Sequence, residues 1–193
     1  MEPKDFDDLL GSIGLGRYHY YLFAWLGLNY FSFGTEFVMF AIMPEVLAGE
    51  WDLSSVQIGV MGGMIFVGLL IGTFISAFGD RFGRLLFLRL STGLIVLGGV
   101  LSPCMPEYYS YLLFRTISGI GFGIFEPTWA TFSVEVNPAQ IRAKYFVLLN
   151  CVNFVGNLVG IGLAFAFVPG LSTGYWRVML GLWVIPAGLS GIM

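Results

Sequence analysis

Long apolar runs, each closed by a short polar break, set the rhythm of this chain. Six runs, at about 20–43, 56–78, 85–104, 109–132, 144–168 and 175–193, approach or exceed the roughly 20 apolar residues needed to cross a bilayer as a helix. Each break carries a physical marker. Pro44 through Asp52 holds Glu45, Glu50 and Asp52, and Gly79 to Arg84 reads GDRFGR. SPCMPEYY turns the chain between the third and fourth runs. EVNPAQIRAK separates the fourth from the fifth, and VPGLSTGYWR the fifth from the sixth. In hydrocarbon every backbone N–H and C=O needs an internal partner, so unbroken runs of this length predict helices. Barrel strands would be about ten residues long and would alternate, which these runs do not. The pattern predicts an all-α membrane protein: a tail at residues 1–19, then six transmembrane helices over 20–193.

Composition agrees. Of 193 residues, 57% are hydrophobic and only 11% charged, and the mean hydropathy is +0.83; a soluble domain would carry roughly a quarter charged residues. The bilayer is therefore the first partner. The acidic MEPKDFDDLLGSIG lacks the basic start of a cleavable signal and reads as a cytoplasmic tail. If the helices alternate, Lys4, Arg17, Arg81, Arg84, Arg89, Arg142 and Lys144 share one side and Arg177 lies on the other. The excess of basic residues places the first side, and the N-terminus, in the cytoplasm. A net charge of −3 with few, scattered basic residues gives no footprint for nucleic acid. Cys104 and Cys151 fall in different apolar runs and read as two buried thiols rather than a disulfide or a metal pair. No metal cluster, cofactor motif or nucleophile stands out, and GIGFG lies inside a bilayer helix rather than after a strand, so an enzyme is not expected.

Within the runs, polar and small residues mark what faces protein. Gly59 and Gly63, Gly68 and Gly72, Gly119 and Gly123, and Gly156 and Gly160 are each four apart, the spacing that lets helix backbones approach closely. Three charges, Glu36, Arg115 and Glu126, fall inside spans, where a charge costs at least about 2.5–3.5 kcal/mol at helix centre and is usually paired and functional. Glu36 and Arg115 lie at similar depth and could meet. Glu126 has no evident cation, and could hydrogen-bond as a neutral acid or open to a cytoplasmic cavity. Asn150, Asn153 and Asn157 share one face of the fifth helix. Amides are costly against lipid, so this face should line the bundle interior or a cavity, or bond to a neighbouring helix.

GDRFGR is more than a basic turn, because a topology anchor explains Arg81 and Arg84 but not Asp80 or Gly83. Asp80, Arg81, Gly83 and Arg84 match the loop signature G-x-x-x-D-R-x-G-R-[R/K] of the major facilitator superfamily, with Ser76 in place of its first glycine and Leu85 in place of its last basic residue. RTISGIGFG matches the fourth-helix pattern through Arg115, Gly119, Gly121 and Gly123. EVNPAQIR is similar to the sugar-porter signature E-x-x-P-x-x-x-R at Glu135, Pro138 and Arg142. WRVMLGLWVIPA resembles that branch's sixth helix, and FGTE its first-helix F-G-x-D. The resemblance, from about residue 20 to the end, implies one six-helix half, a 3+3 inverted repeat, of a twelve-helix transporter with the solute between its halves. It implies further that Asp80, Arg81, Gly83, Arg84, Glu135 and Arg142 form a cytoplasmic gate, the charges pairing across helix ends when the protein faces outward. A static anchor is the alternative.

The same resemblance implies proton coupling through Glu36 and Arg115, against a static salt bridge holding the first and fourth helices. Counted from Arg142, Asn150 and Asn157 fall where sugar porters hold sugar hydroxyls with glutamines; the shorter amides widen the cavity or change the ligand. Asn153 joins them as a candidate solute contact. The expected partners are the bilayer, a small polar or organic solute such as a sugar or organic ion, and a second six-helix half. The competing expectation is a non-transporting half-carrier packed into a larger membrane complex.

Overall fold

The structure, a computed structural model, describes residues 16–171 and 174–191. Among these there is no strand. Six long helices follow in order: α1 Arg17–Glu50, α2 Ser55–Ser76, α3 Arg84–Leu101, α4 Tyr108–Val136, α5 Ala139–Phe167 and α6 Trp176–Ser190. A single helical turn, Gly79–Phe82, joins α2 to α3, and a short 3-10 turn, Ser102–Cys104, ends α3. Most of the expected tail lies outside the described residues.

Several helices outrun the apolar stretches that announced them. α1 has 34 residues, about 50 Å at 1.5 Å per residue, against a hydrocarbon core of about 30 Å. It passes through Pro44 and ends where Asp52 takes a left-handed φ of 46°, so most of the expected break at Pro44–Asp52 is helix. The break around EVNPAQIRAK likewise shrinks to Asn137 and Pro138. A helix closes its own hydrogen bonds and can carry polar residues beyond the lipid, so polarity marks the membrane edge rather than the helix end. Ser54 starts α2 through a capping box: its Oγ accepts from Gln57 N at 3.4 Å, while Gln57 Oε1 accepts from Ser54 N at 2.9 Å.

Among the described residues, four helices are long and apolar enough to cross a membrane: α1, α2, α3 with its extension to Cys104, and α5. α6 is apolar but has only 15 described residues. α4 is 29 residues long and carries Arg115, Glu126 and Glu135.

The helices form two interlocked triples. α4 packs mainly on α2 and α3, and α1 mainly on α5 and α6. The first helix of each triple is thus held by the last two of the other. α2 buries only Met61, Ile65, Gly68 and Gly72; α5 buries only Tyr145, Leu149, Gly156, Gly160 and Ala164. Each is a single stripe at helical spacing. The glycine pairs explain the closest contacts. A Cβ on Gly68 would lie 2.5 Å from Thr116 O, and one on Gly119 would lie 2.7 Å from Ile65 O. Gly68/Gly72 and Gly119/Gly123 are therefore the two sides of one α2–α4 seam. Gly156 and Gly160 seat α5 on Phe31 and Thr35 of α1. Gly59 and Gly63 meet nothing within 4 Å, so that pair does not pack.

Both cysteines are free, but neither is buried. Cys104 and Cys151 lie exposed on the helix surface, because the faces that present them, apolar as they are, turn outward from the protein.

Candidate functional site

The two charges expected to meet in the bilayer do. Glu36 on α1 and Arg115 on α4 form an ion pair between Glu36 Oε1 and Arg115 Nη1, with Glu36 wholly buried and Arg115 nearly so. Arg115 Nε donates to Tyr111 Oη at 2.9 Å, and the guanidinium lies 5.3 Å from the Tyr111 ring, 5.6 Å from Phe40 and 6.0 Å from Trp183. Glu36 Oε2 and Arg115 Nη2 have no hydrogen-bond partner among the described residues. The site is thus one strong contact inside an aromatic wall, and it ties the two triples together.

A second cluster sits at the basic end of the bundle. Arg84 Nη2 lies 2.9 Å from Asp80 Oδ1 and 3.1 Å from Glu135 Oε1, joining the α2–α3 turn to the end of α4. Gly83 makes this possible: its φ of +101° reverses the chain between the turn and α3, a backbone state that costs an L side chain but not glycine. Arg142, expected with this group, donates from Nε to Asn137 O at 2.9 Å and so stiffens the α4–α5 corner. Arg81 is exposed.

The three asparagines of α5 share a half-buried face but play different parts. Asn153 Nδ2 donates to Tyr30 O of α1 at 3.1 Å. Asn157 Nδ2 donates to Asn153 O at 3.1 Å and to Asn153 Oδ1 at 3.2 Å. Among the described residues, Asn150 Nδ2 bonds within α5, to Phe146 O at 2.9 Å.

Beside this face lies Glu126, the third in-span charge, with partners the sequence pattern did not foretell. Glu126 is exposed, and both its oxygens are held: Tyr30 Oη donates to Oε1 at 2.8 Å and Trp129 Nε1 donates to Oε2 at 3.1 Å. The Trp129 ring stacks on Phe146 of α5, centroids 5.0 Å apart. A buried knot elsewhere is equally absent from the pattern. Asn29 Nδ2 donates to Ser190 Oγ at 2.8 Å, and Thr92 Oγ1 donates to Asn29 Oδ1 at 3.2 Å, joining α1, α3 and α6. An amide at position 29 in an apolar run was the available signal. At the end opposite the basic cluster, Arg177 Nη2 lies 3.2 Å from Glu50 Oε1, and Trp176 Nε1 donates to Glu50 Oε2. A groove of about 1100 Å³ runs between α1, α3 and α6 past Trp25, Arg89 and Val96, and none of the solute or coupling candidates lines it.

The chain is thus a six-helix bundle with a buried ion pair between its two triples and a charged cluster at one end. Residues 16–193 match the family of sugar (and other) transporters, and the chain belongs to that family. Among solved structures, it is similar to the inward-open xylose transporter XylE from E. coli, with a TM-score of 0.75 and 22% identity over 91% of this chain and 46% of that one. The D-xylose-proton symporter aligns with a TM-score of 0.69 and 24% identity, covering 91% and 47%. Among curated relatives it is 26% identical to organic cation/carnitine transporter 7 of Arabidopsis thaliana, over 95% of this chain and 36% of the relative. It is 28% identical to the synaptic vesicle 2-related protein of Bos taurus, over 97% and 34%. The chain thus spans about a third of the length of these relatives. These comparisons identify a multi-pass membrane protein of the major facilitator type, related to transporters and not to enzymes.

Proposed function

We propose that residues 20–193 act as the N-terminal half of a carrier that moves a small polar or organic solute by alternating access, rocking against a second six-helix half, with the N-terminus in the cytoplasm. The single observation that carries this is the Glu36–Arg115 pair. Burying two charges at bilayer depth is costly, and the pair sits where the two triples meet, so making and breaking it would couple to their relative motion. Proton uptake by Glu36 would release Arg115 and bias the bundle toward one state. Arg84, Asp80 and Glu135 would form the cytoplasmic clasp, each exposed ion pair worth on the order of 1 kcal/mol, together enough to tilt a two-state balance severalfold. Asn150, Asn153 and Asn157 would face the solute; the half-buried position of the three supports this. The relatives' names, xylose and organic cation among them, support a solute of that size.

The test is uptake by the full-length protein in proteoliposomes under an imposed proton gradient, with a panel of pentoses, hexoses and small organic cations. Glu36→Gln should abolish gradient-driven accumulation but keep exchange at equal pH, and Asn150→Ala should weaken both. Absence of uptake for every solute, together with a stable native complex with unrelated proteins, would show a structural subunit instead.

A further inference from the structure

Glu126 is a carboxylate placed where a simple structural role does not account for it. It lies about 15 Å from the Val136 end of α4 at 1.5 Å per residue, deep enough to be level with hydrocarbon. Yet it is exposed rather than buried, and among the described residues it has no ion pair; its two partners are the neutral donors of Tyr30 and Trp129. A charged group at that depth does not face lipid; it faces a water-filled passage or a counter-ion. Tyr30 and Trp129 are themselves buried, so they grip the carboxylate from beneath and fix its outward direction. Each oxygen accepts only one described bond and keeps further acceptor capacity outward. Aromatic rings adjoin its two donors: Phe33 lies against Tyr30 and Phe146 stacks on Trp129. Phe37 and Phe146 are about half exposed, and Phe33, half-buried, packs against both Tyr30 and Phe37. α4 and α5 touch each other little, which leaves this wall open. A fixed anion flanked by exposed aromatic faces attracts a cation with an apolar body, through charge and through the ring quadrupoles together.

We propose that Glu126 binds the cationic group of an amine or quaternary ammonium solute, with Phe33, Phe37 and Phe146 contacting its apolar body. This rests on the transport reading and narrows its solute to the cationic class. The test is calorimetric titration of the full-length protein in nanodiscs with tetraethylammonium, and separately with D-xylose as a neutral probe. Tetraethylammonium should bind saturably. Glu126→Gln, which keeps an acceptor for Tyr30, should weaken it by about tenfold or more, whereas Glu126→Asp should stay within a few fold. Unchanged unfolding midpoints in both variants establish that the loss is local. No binding of tetraethylammonium to the wild type, or equal binding to wild type and Glu126→Gln, would overturn the proposal; so would tighter binding of D-xylose that itself depends on Glu126. Cation binding that tracks Glu126 while the uptake panel stays silent would sustain this site and strike the transport reading alone.

Discussion

Glu36 and Arg115 offer the sharpest quantitative test of how this bundle is held. The carboxylate is wholly buried and the guanidinium 4% exposed, so removing either leaves the other out of water without its partner. Such a break costs about 3–5 kcal/mol, whereas replacing both partners by apolar side chains is often neutral or stabilising. Here Arg115 has fallbacks that Glu36 lacks. Without Glu36 it still donates to Tyr111 Oη and faces the rings of Tyr111, Phe40 and Trp183. Without Arg115, Glu36 keeps no described hydrogen bond. Glu36→Met should therefore fall at the low end of the range and Arg115→Met at the high end.

For a chain of this size roughly 2–4 °C accompany each kcal/mol, so the losses should span about 6–20 °C. Thermal unfolding in detergent, followed by tryptophan fluorescence, measures them. The double variant Glu36→Met/Arg115→Met should recover most of the loss, because no charge is then left buried alone. If the two single losses simply add in the double variant, the residues do not stabilise each other and the pair is not the tie between the triples. Losses below about 1 kcal/mol in both single variants would refute that tie equally.

The α2–α4 seam makes a paired prediction. Gly72→Ala sets a Cβ against Ile120 O and the Gly123 backbone and should destabilise the protein by about 1–3 kcal/mol, while Gly63→Ala, which meets nothing within 4 Å, should stay within about 0.5 kcal/mol or gain slightly; unfolding midpoints separate them. Asn29→Leu removes the bonds to Ser190 and Thr92 and should cost about 1–2 kcal/mol, read as loss of monodisperse protein on heating followed by size exclusion. Arg84→Ala releases both Asp80 and Glu135. With Cys104→Ser and Cys151→Ser removing the native thiols, it should speed maleimide labelling of Arg81→Cys severalfold relative to the same protein with Arg84 intact.

What the sequence disclosed depended on whether the signal was local. Apolar run length located the six long helices, and three of the four glycine pairs at four-residue spacing do fall at close helix contacts, since both are properties of one helix at a time. The meeting of Glu36 with Arg115 was legible because each sits at a calculable depth and a lone buried charge demands a partner. Arg84 with Asp80 is an i, i+4 pair, and Glu135 was reached through its motif. The grip on Glu126 was not legible: Tyr30 lies 96 residues away, and no periodicity says which aromatic ring turns toward which carboxylate. The α3 and α6 partners of Asn29, 63 and 161 residues distant, were hidden in the same way. Gly59 and Gly63 misled because spacing records that two helices could approach, not that a second helix is there. The cysteines misled because in a bilayer an apolar face need not be an inner one.

The positions of these groups follow from the packing order. In water, exposure is the safe place for a polar side chain; in a bilayer it is the interior or a hydrated passage. α1 and α4 are each clasped by the last two helices of the opposite triple, so they offer more protein-facing surface than the outer helices α2 and α5. A charge on α2 or α5, whose buried surface is one narrow stripe, would face lipid or whatever packs on that side. Glu36, Tyr30 and Asn29 accordingly fall on α1, and Arg115, Glu126 and Trp129 on α4. The glycines of α2 and α5 serve the same end: by letting those helices sit close on the central pair, they fix its spacing without adding bulk between the groups that must meet. Interlocking, rather than any single motif, is what makes two polar helices tolerable in hydrocarbon and lets chemistry collect on them.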